Sequence, residues 1–315
     1  LHLSSNVPAF MHDLVSSPDV QTAATPAPSA DERVIPLIYV VCKGRSGSTL
    51  TALLMSANSR IIGAGEIESY HKRISKPGHR RCTCGEALDA CPFWADVQEG
   101  LEARLGERVP KFRVDDDATF LRNNEAFFAS IQDTAPTSIL LDKSKKPGRL
   151  DRLLTSKKLD ITIVHVVRDV RAVAYSFQQR GERKDRTDEL RYNFLKNIAR
   201  WAWLNSWITL RYRRHPRYLR VRYEDLVADP EKHVRALMAH VGVPFEDSQM
   251  DFGKAEQHAF SGNRMRLQNA DGIRPDTKYI EQLPRWKWWV GSLLAFPVLR
   301  YFGYPIARPD VASRA

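Results

Sequence analysis

Five apolar runs, each followed by a polar turn and most by an amphipathic stretch, set the plan of this chain. The first is Leu37 to Cys42, aliphatic or Cys except for Tyr39, which reads as a strand buried on both faces. Further runs follow at Arg60 to Gly65, Ser138 to Asp142 and Ile161 to Val167, and an alternating one at Tyr218 to Tyr223. Helical periodicity fills the spaces between them. Leu50 to Met55 follows the first strand, and Ala118 to Ile131 gathers Phe120, Leu121, Phe127, Phe128 and Ile131 on one face. Val170 to Gln179 starts behind a capping Asp169, and Leu190 to Arg211 and Glu231 to Val241 complete the set. This alternation predicts an α/β fold with a central, mostly parallel sheet flanked by helices. In such sheets ligands bind beyond the carboxyl ends of the strands. Arg45, Glu66, Lys145 and Arg168 each fall just after an apolar run, so the predicted fold brings all four to one edge.

The turn after the first strand reads Lys43-Gly44-Arg45-Ser46-Gly47-Ser48-Thr49. A buried strand feeding a Gly-rich turn and a helix start offers backbone N–H groups to an anion. The loop is P-loop-like but lacks the Gly-Lys-Ser/Thr of a Walker A sequence, because Gly47 is followed by Ser48-Thr49. Without that Lys, a nucleoside triphosphate loses its usual partner, and the basic residue stands at Arg45 instead.

The 315 residues, 43% of them hydrophobic, suffice for one sizeable core. One domain is expected over 34–308, between a flexible tail over 1–33, rich in Ser, Pro, Ala and Thr, and a short tail over 309–315. The N-terminal stretch lacks the basic start and apolar core of a signal peptide, and a cytoplasmic location is expected, with the inner membrane face as a peripheral site. A net charge of +11 suits an acidic partner: nucleic acid, an anionic membrane or a phosphorylated cofactor. Cys82, Cys84 and Cys91 lie close together, but C-x-C-x6-C is not a standard zinc spacing, and a fourth ligand would come from His71 or His79. A packed or surface loop is the favoured reading there, ahead of a disulfide and of zinc. Cys42 reads as a small buried residue.

Three further constellations are candidates for chemistry. Glu66 and Glu68, just past a strand end, are placed for a catalytic base. Arg168 at a strand end and Ser176 two turns into the next helix can converge on one anion. Arg264 and Arg266, beside Gly262-Asn263, suggest a loop folding over an anion, with a solvated basic loop as the alternative.

With these residues assembled, the chain resembles the PAPS-dependent sulfotransferases, especially bacterial and carbohydrate-type members, over about 35–305. KGRSGSTL resembles the family's 5′-phosphosulfate loop and VVRDVRAVAYS its 3′-phosphate motif; YEDL at 223–226 and the segment from His258 to Arg266 match in order. The Cys82 to Trp94 block resembles one in bacterial relatives. The resemblance implies transfer of a sulfuryl group from PAPS, 3′-phosphoadenosine 5′-phosphosulfate, to a hydroxyl, giving a sulfate ester and 3′,5′-ADP, with no metal required and no nucleic acid as partner. It implies a cofactor site of Arg45, Ser46, Gly47, Ser48, Thr49, Arg168, Ser176, Tyr223, Arg264 and Arg266. Glu66 is implied as the base, with Glu68 and then His258 in reserve, and Arg45 and Lys145 as the cations that stabilise the departing charge. Lys143 and Arg264 depart from the family pattern, which leaves the acceptor open among sugars, lipid headgroups, natural products and peptide tyrosines. A P-loop kinase, or a basic membrane- or nucleic-acid-binding module, is the alternative.

The segment from Trp286 to Leu299 is too short and interrupted for a transmembrane helix. Packing against the sheet is the expectation. Its Trp cluster beside Arg285 and Lys287 makes a membrane-interface contact the second reading.

Overall fold

A computed structural model of the chain describes residues 33–75, 81–135, 139–186, 189–255, 257–261 and 273–309. The expected tails fall almost wholly outside the described residues, as do His79, Arg264 and Arg266. The strands are β1 (Ile35–Val41), β2 (Ile61–Gly65), β3 (Ile139–Lys145), β4 (Leu159–Val167) and β5 (Tyr218–Arg222). Helices follow as α1 (Ser48–Ser56), α2 (Tyr70–Ile74), α3 (Pro92–Leu105), α4 (Asp117–Thr134), α5 (Pro147–Leu153) and α6 (Val170–Glu182). The remainder are α7 (Phe194–Tyr212), α8 (Tyr223–Ala228), α9 (Pro230–Val241), α10 (Lys278–Gln282), α11 (Arg285–Leu294) and α12 (Phe296–Tyr301).

The sheet has the order β2-β3-β1-β4-β5, and every pairing is parallel. β1 lies in the middle, with Leu37 opposite Leu140 on one side and Ile161 on the other. Its side chains alternate between two cores. Leu37, Tyr39 and Val41 pack with residues of α3, α4 and α5, while Ile38 and Val40 pack with those of α1, α8 and α9. Both faces are thus covered, as an all-parallel sheet requires. The chain leaves β1 for β2, beyond β3, and later crosses to β4 on the other side, so the strand order reverses at β1, where an open α/β sheet forms its ligand crevice.

Two elements differ from the sequence reading. The third strand does not end at Asp142 but runs to Lys145, with Lys143 and Ser144 buried, because β1 continues to pair with it beyond Asp142, where the β2 pairing ends, with a shift in register between the two. The C-terminal segment divides its aromatics: Trp288 is 1% exposed, whereas Trp286 and Trp289 are exposed. Trp288 stacks on Tyr279, donates to the Ile306 carbonyl at 3.0 Å and lies 3.9 Å from the buried Arg171 guanidinium. That guanidinium pairs with Asp169, the N-cap of α6, so the core contact fixes the start of a helix that borders the crevice. No helix among the described residues is long and apolar enough to cross a membrane.

Candidate active site

At the carboxyl edge of the sheet lies a cleft of about 510 Å³. The turn after β1 forms its floor. Ser46 N–H donates to the Lys43 carbonyl at 3.3 Å, and Arg45 and Gly47 take positive φ, 74° and 94°. Gly47 is the N-cap of α1 and has no side chain with which to cap it, so the helix start opens into the cleft. A Cβ on Gly47 would stand 2.3 Å from the Tyr223 ring, so glycine is required for both space and conformation. Ser46 departs from expectation: its amide closes the turn and its side chain is buried, so the cleft is lined instead by Gly44, Arg45 and Gly47 to Leu50.

Arg168, just past β4, lines the cleft beside this turn, its Nη1 donating to the Arg45 carbonyl at 3.4 Å. It is 6% exposed and lies over the Tyr223 ring at 4.5 Å. It pairs with Asp276 at 2.9 Å, while its Nε is buried with no hydrogen-bond partner among the described residues. Ser176 on α6 accepts from Arg45 Nε at 2.9 Å, so the two predicted anion sites meet in one cleft. The YEDL motif supports both sites. Tyr223 is the plate between Gly47 and Arg168, and Glu224 accepts from the Asp169 N–H at 3.0 Å and from Tyr304 at 2.8 Å. Burial, with Asp169 nearby, pushes the Glu224 carboxyl up.

Glu66 follows β2 and Lys145 ends β3; they pair at 2.5 Å, and both line the cleft. Burial alone would raise the Glu66 carboxyl, but Lys145, with Lys143 and Arg73, outweighs burial and holds it below the usual carboxylate range. Lys145 has φ 69°; with Arg45 it is one of three non-glycine residues at positive φ among those described. Such backbone is costly and is concentrated where side-chain direction matters. Seven cationic side chains line the cleft against the two carboxylates of Glu66 and Asp276. Burial and the neighbouring Arg180 and Arg168 work against the charge of Arg45, so an anion in the cleft would relieve it.

Arg73, Arg180, Arg191, Arg274 and Asp276 complete the lining and were not anticipated. Arg180, one turn beyond Ser176 on α6, was within reach of helical spacing; Arg73 comes from α2, and Arg191, Arg274 and Asp276 come from connecting segments. Ser261 was also missed: its Oγ accepts from the Glu66 amide N–H, fixing the backbone of the carboxylate. Glu68 belongs elsewhere. It pairs with Arg113 and with Lys146 at 2.7 Å in a separate cleft of about 380 Å³. His258 is also away from the cleft, beside Cys82, Cys84 and Cys91. The two fourth-ligand candidates named from the sequence do not join these thiols: His71 Nδ1 faces the Val109 carbonyl at 3.0 Å, and His79 lies outside the described residues. The cysteines are not in a disulfide either.

A parallel sheet with a cationic cleft at its topological switch, lined by a glycine turn and a basic strand end, is an α/β arrangement suited to an anionic ligand. Residues 36–247 match the model of the sulfotransferase family, and the chain belongs to that family. It is a transferase of sulfuryl groups. Among solved structures, the sulfotransferase domain of the Synechococcus PCC 7002 olefin synthase is similar, at 21% identity and a TM-score of 0.52, over 87% of this chain and 96% of that one. So is the sulfotransferase domain from the curacin biosynthetic pathway, at 17% identity and a TM-score of 0.52, over 87% of this chain and all of that one. These two share the fold. No curated protein matches the chain.

Proposed function

We propose that this sulfotransferase takes its sulfuryl group from PAPS and passes it to an acceptor hydroxyl, with the residues of 34–308 acting as one domain. The observation that carries the proposal is that the start of α1 with Arg45, and Arg168 with Ser176, adjoin in one cationic cleft. A donor with phosphates at both its 3′ and 5′ positions matches that pair. The fit is supported by the Arg168 Nε, buried with no hydrogen-bond partner among the described residues, and by the start of α1, which has no side-chain cap and lines the cleft. Asp276, 46% exposed at its side chain, is the anion that Arg168 now holds, and a 3′-phosphate is a stronger claimant for the same guanidinium.

PAPS, when bound, supplies the sulfuryl group and departs as 3′,5′-ADP. The chain's part is to bind, orient and move one proton. Gly47, Ser48 and Thr49 hold the 5′ end, and Arg168 and Ser176, with Tyr223 beneath, hold the 3′-phosphate. Arg45 and Lys145 present positive charge where negative charge builds on the leaving oxygen; one preorganised donor of this kind is worth about 3 to 4 kcal/mol. Glu66, ionised because of Lys145, accepts the proton of the acceptor hydroxyl. Arg264 and Arg266 are further proposed contacts to the nucleotide. A peripheral membrane contact is proposed for the exposed face of Trp286, Trp289 and Leu293, beside Arg285.

The test compares 3′,5′-ADP with AMP as stabilising ligands. At a hundred times Kd, 3′,5′-ADP should stabilise by about 2.7 kcal/mol. AMP at the same concentration should do much less, and Arg168→Ala should remove most of the difference. Equal thermal shifts from the two nucleotides would refute the 3′-phosphate site.

A further inference from the structure

Three thiols and an imidazole converge at one point away from the cleft. The Sγ atoms of Cys82, Cys84 and Cys91 and a ring nitrogen of His258 all lie within 4.8 Å of one another. Cys84 and Cys91 are 3.7 Å apart at sulfur, and His258 Nδ1 lies 3.7 Å from Cys82 Sγ and 3.5 Å from Cys91 Sγ. A disulfide requires sulfurs at about 2.05 Å, so 3.7 Å between Cys84 and Cys91 is no bond. Tetrahedral zinc, with Zn–S of about 2.3 Å and Zn–N of about 2.0 to 2.1 Å, spaces its ligands roughly 3.8 Å apart sulfur to sulfur and roughly 3.6 Å sulfur to nitrogen. The Cys84–Cys91, Cys82–His258 and Cys91–His258 pairs have this spacing, and the remaining pairs lie within 4.8 Å.

The surroundings hold the ligands in place independently of any ion. Cys82 N–H donates to the Glu86 carbonyl at 2.9 Å, and Gly85, at φ 98°, turns the chain back beneath Cys84. Cys91 caps α3, its carbonyl accepting from Trp94 and Ala95. Phe93 stacks flat on the His258 ring at 4.5 Å, and Trp94 Nε1 donates to the His258 carbonyl at 2.9 Å. Thr83 accepts from the Ala259 N–H at 2.8 Å and donates to the Gln257 carbonyl, so the cysteine loop and the segment 257–261 are stitched together on both sides of the histidine.

We propose that Cys82, Cys84, Cys91 and His258 bind one Zn²⁺ as a closed structural site that fastens the cysteine loop to the segment carrying Ser261. Three thiolates and an imidazole complete a tetrahedral set and leave no position for a substrate, which is the character of a structural rather than a catalytic zinc. The site has a consequence for the cleft. Ser261, three residues past His258, receives the Glu66 amide N–H, and Phe260 donates its own to the Ala64 carbonyl at 3.3 Å. Zinc is therefore a positioning element for Glu66 and takes no part in sulfuryl transfer.

The full chain, produced with zinc supplied and purified reduced without chelator, should carry about one zinc per chain by elemental mass spectrometry. Mercurial titration of the thiols should release that zinc in step with modification of three of the four cysteines, and cobalt loading should give tetrahedral cobalt–thiolate absorption. Cys84→Ser, at the surface end of the cluster, and His258→Gln should each lower zinc content at least several-fold while circular dichroism reports a folded chain. Cys42→Ser, outside the cluster, should leave zinc unchanged. Parent protein without stoichiometric metal, stoichiometric iron in its place, a Cys84–Cys91 disulfide in the freshly purified reduced protein, or folded Cys84→Ser and His258→Gln chains that keep their zinc would each overturn the proposal.

Discussion

Replacing Glu66 by Gln separates the proposed proton transfer from everything else the cleft does. The amide keeps the size of the carboxylate and an oxygen to accept from Lys145, whose ammonium lies 2.5 Å from Oε1 in the parent. What is lost is basicity. A positioned general base contributes about a hundred- to ten-thousand-fold, which corresponds to roughly 2.7 to 5.4 kcal/mol of barrier. Turnover with a hydroxyl acceptor, followed by mass detection of the sulfated product, should fall by that range. Affinity for 3′,5′-ADP should change less than about threefold, because the proposed nucleotide contacts involve Arg45, Arg168 and Ser176 rather than Glu66. The pH profile gives an internal check. Lys145 outweighs burial and holds the Glu66 carboxyl below the ordinary range, so the parent should keep its ionised base through mildly acidic pH, down to that depressed value. Glu66→Gln should lose the acid limb belonging to this group. A Glu66→Gln enzyme within a few fold of the parent, alongside an inactive but folded Glu68→Gln, would refute the assignment, because Glu68 is committed to Arg113 and Lys146 in the other cleft.

Three other outcomes are expected. Gly47→Ala forces a side chain into φ 94° and to 2.3 Å from the Tyr223 ring; a loss of about 1 to 3 kcal/mol in urea unfolding and at least a tenfold weaker grip on 3′,5′-ADP should result, and parent-like behaviour in both would contradict the packing described. Burial lowers His165 from 6.5 to about 4, against the raising effect of its bond to Asn205. The unfolded chain therefore takes up a proton below pH 6.5 that the folded chain does not take up until near pH 4, and stability falls as the pH drops through that window, by about 1.4 kcal/mol per pH unit. Between pH 7.5 and 5 the parent should lose about 2 kcal/mol that His165→Gln does not, and identical slopes for the two would refute it. Finally, the exposed Trp286 and Trp289 should make the folded chain co-sediment with anionic vesicles at low salt, and Trp286→Ala/Trp289→Ala should weaken this; no sedimentation of the parent would end the membrane proposal.

By itself the sequence determined the strands, their common direction and the edge at which chemistry collects. Those follow from local order: an apolar run, a turn and an amphipathic helix can be read within a dozen residues, and a parallel sheet then aligns every strand end. Arg45, Glu66, Lys145 and Arg168 were legible for that reason, and the turn at Gly47 was legible as a Gly- and Ser-rich stretch between a buried strand and a helix start. Tertiary structure decided what depends on residues far apart in the chain. Glu66 and Glu68, two residues apart, face different clefts because the turn after β2 sends one toward Lys145 and the other toward Lys146. Tyr223 became the plate under Arg168 only when β5 was laid beside β4. Trp288 went inward and its two neighbours in the Trp cluster outward because one face of α11 rests on Arg171. His258 is 167 residues from Cys91, and no local spacing announces a histidine that meets the three thiols only in the folded chain.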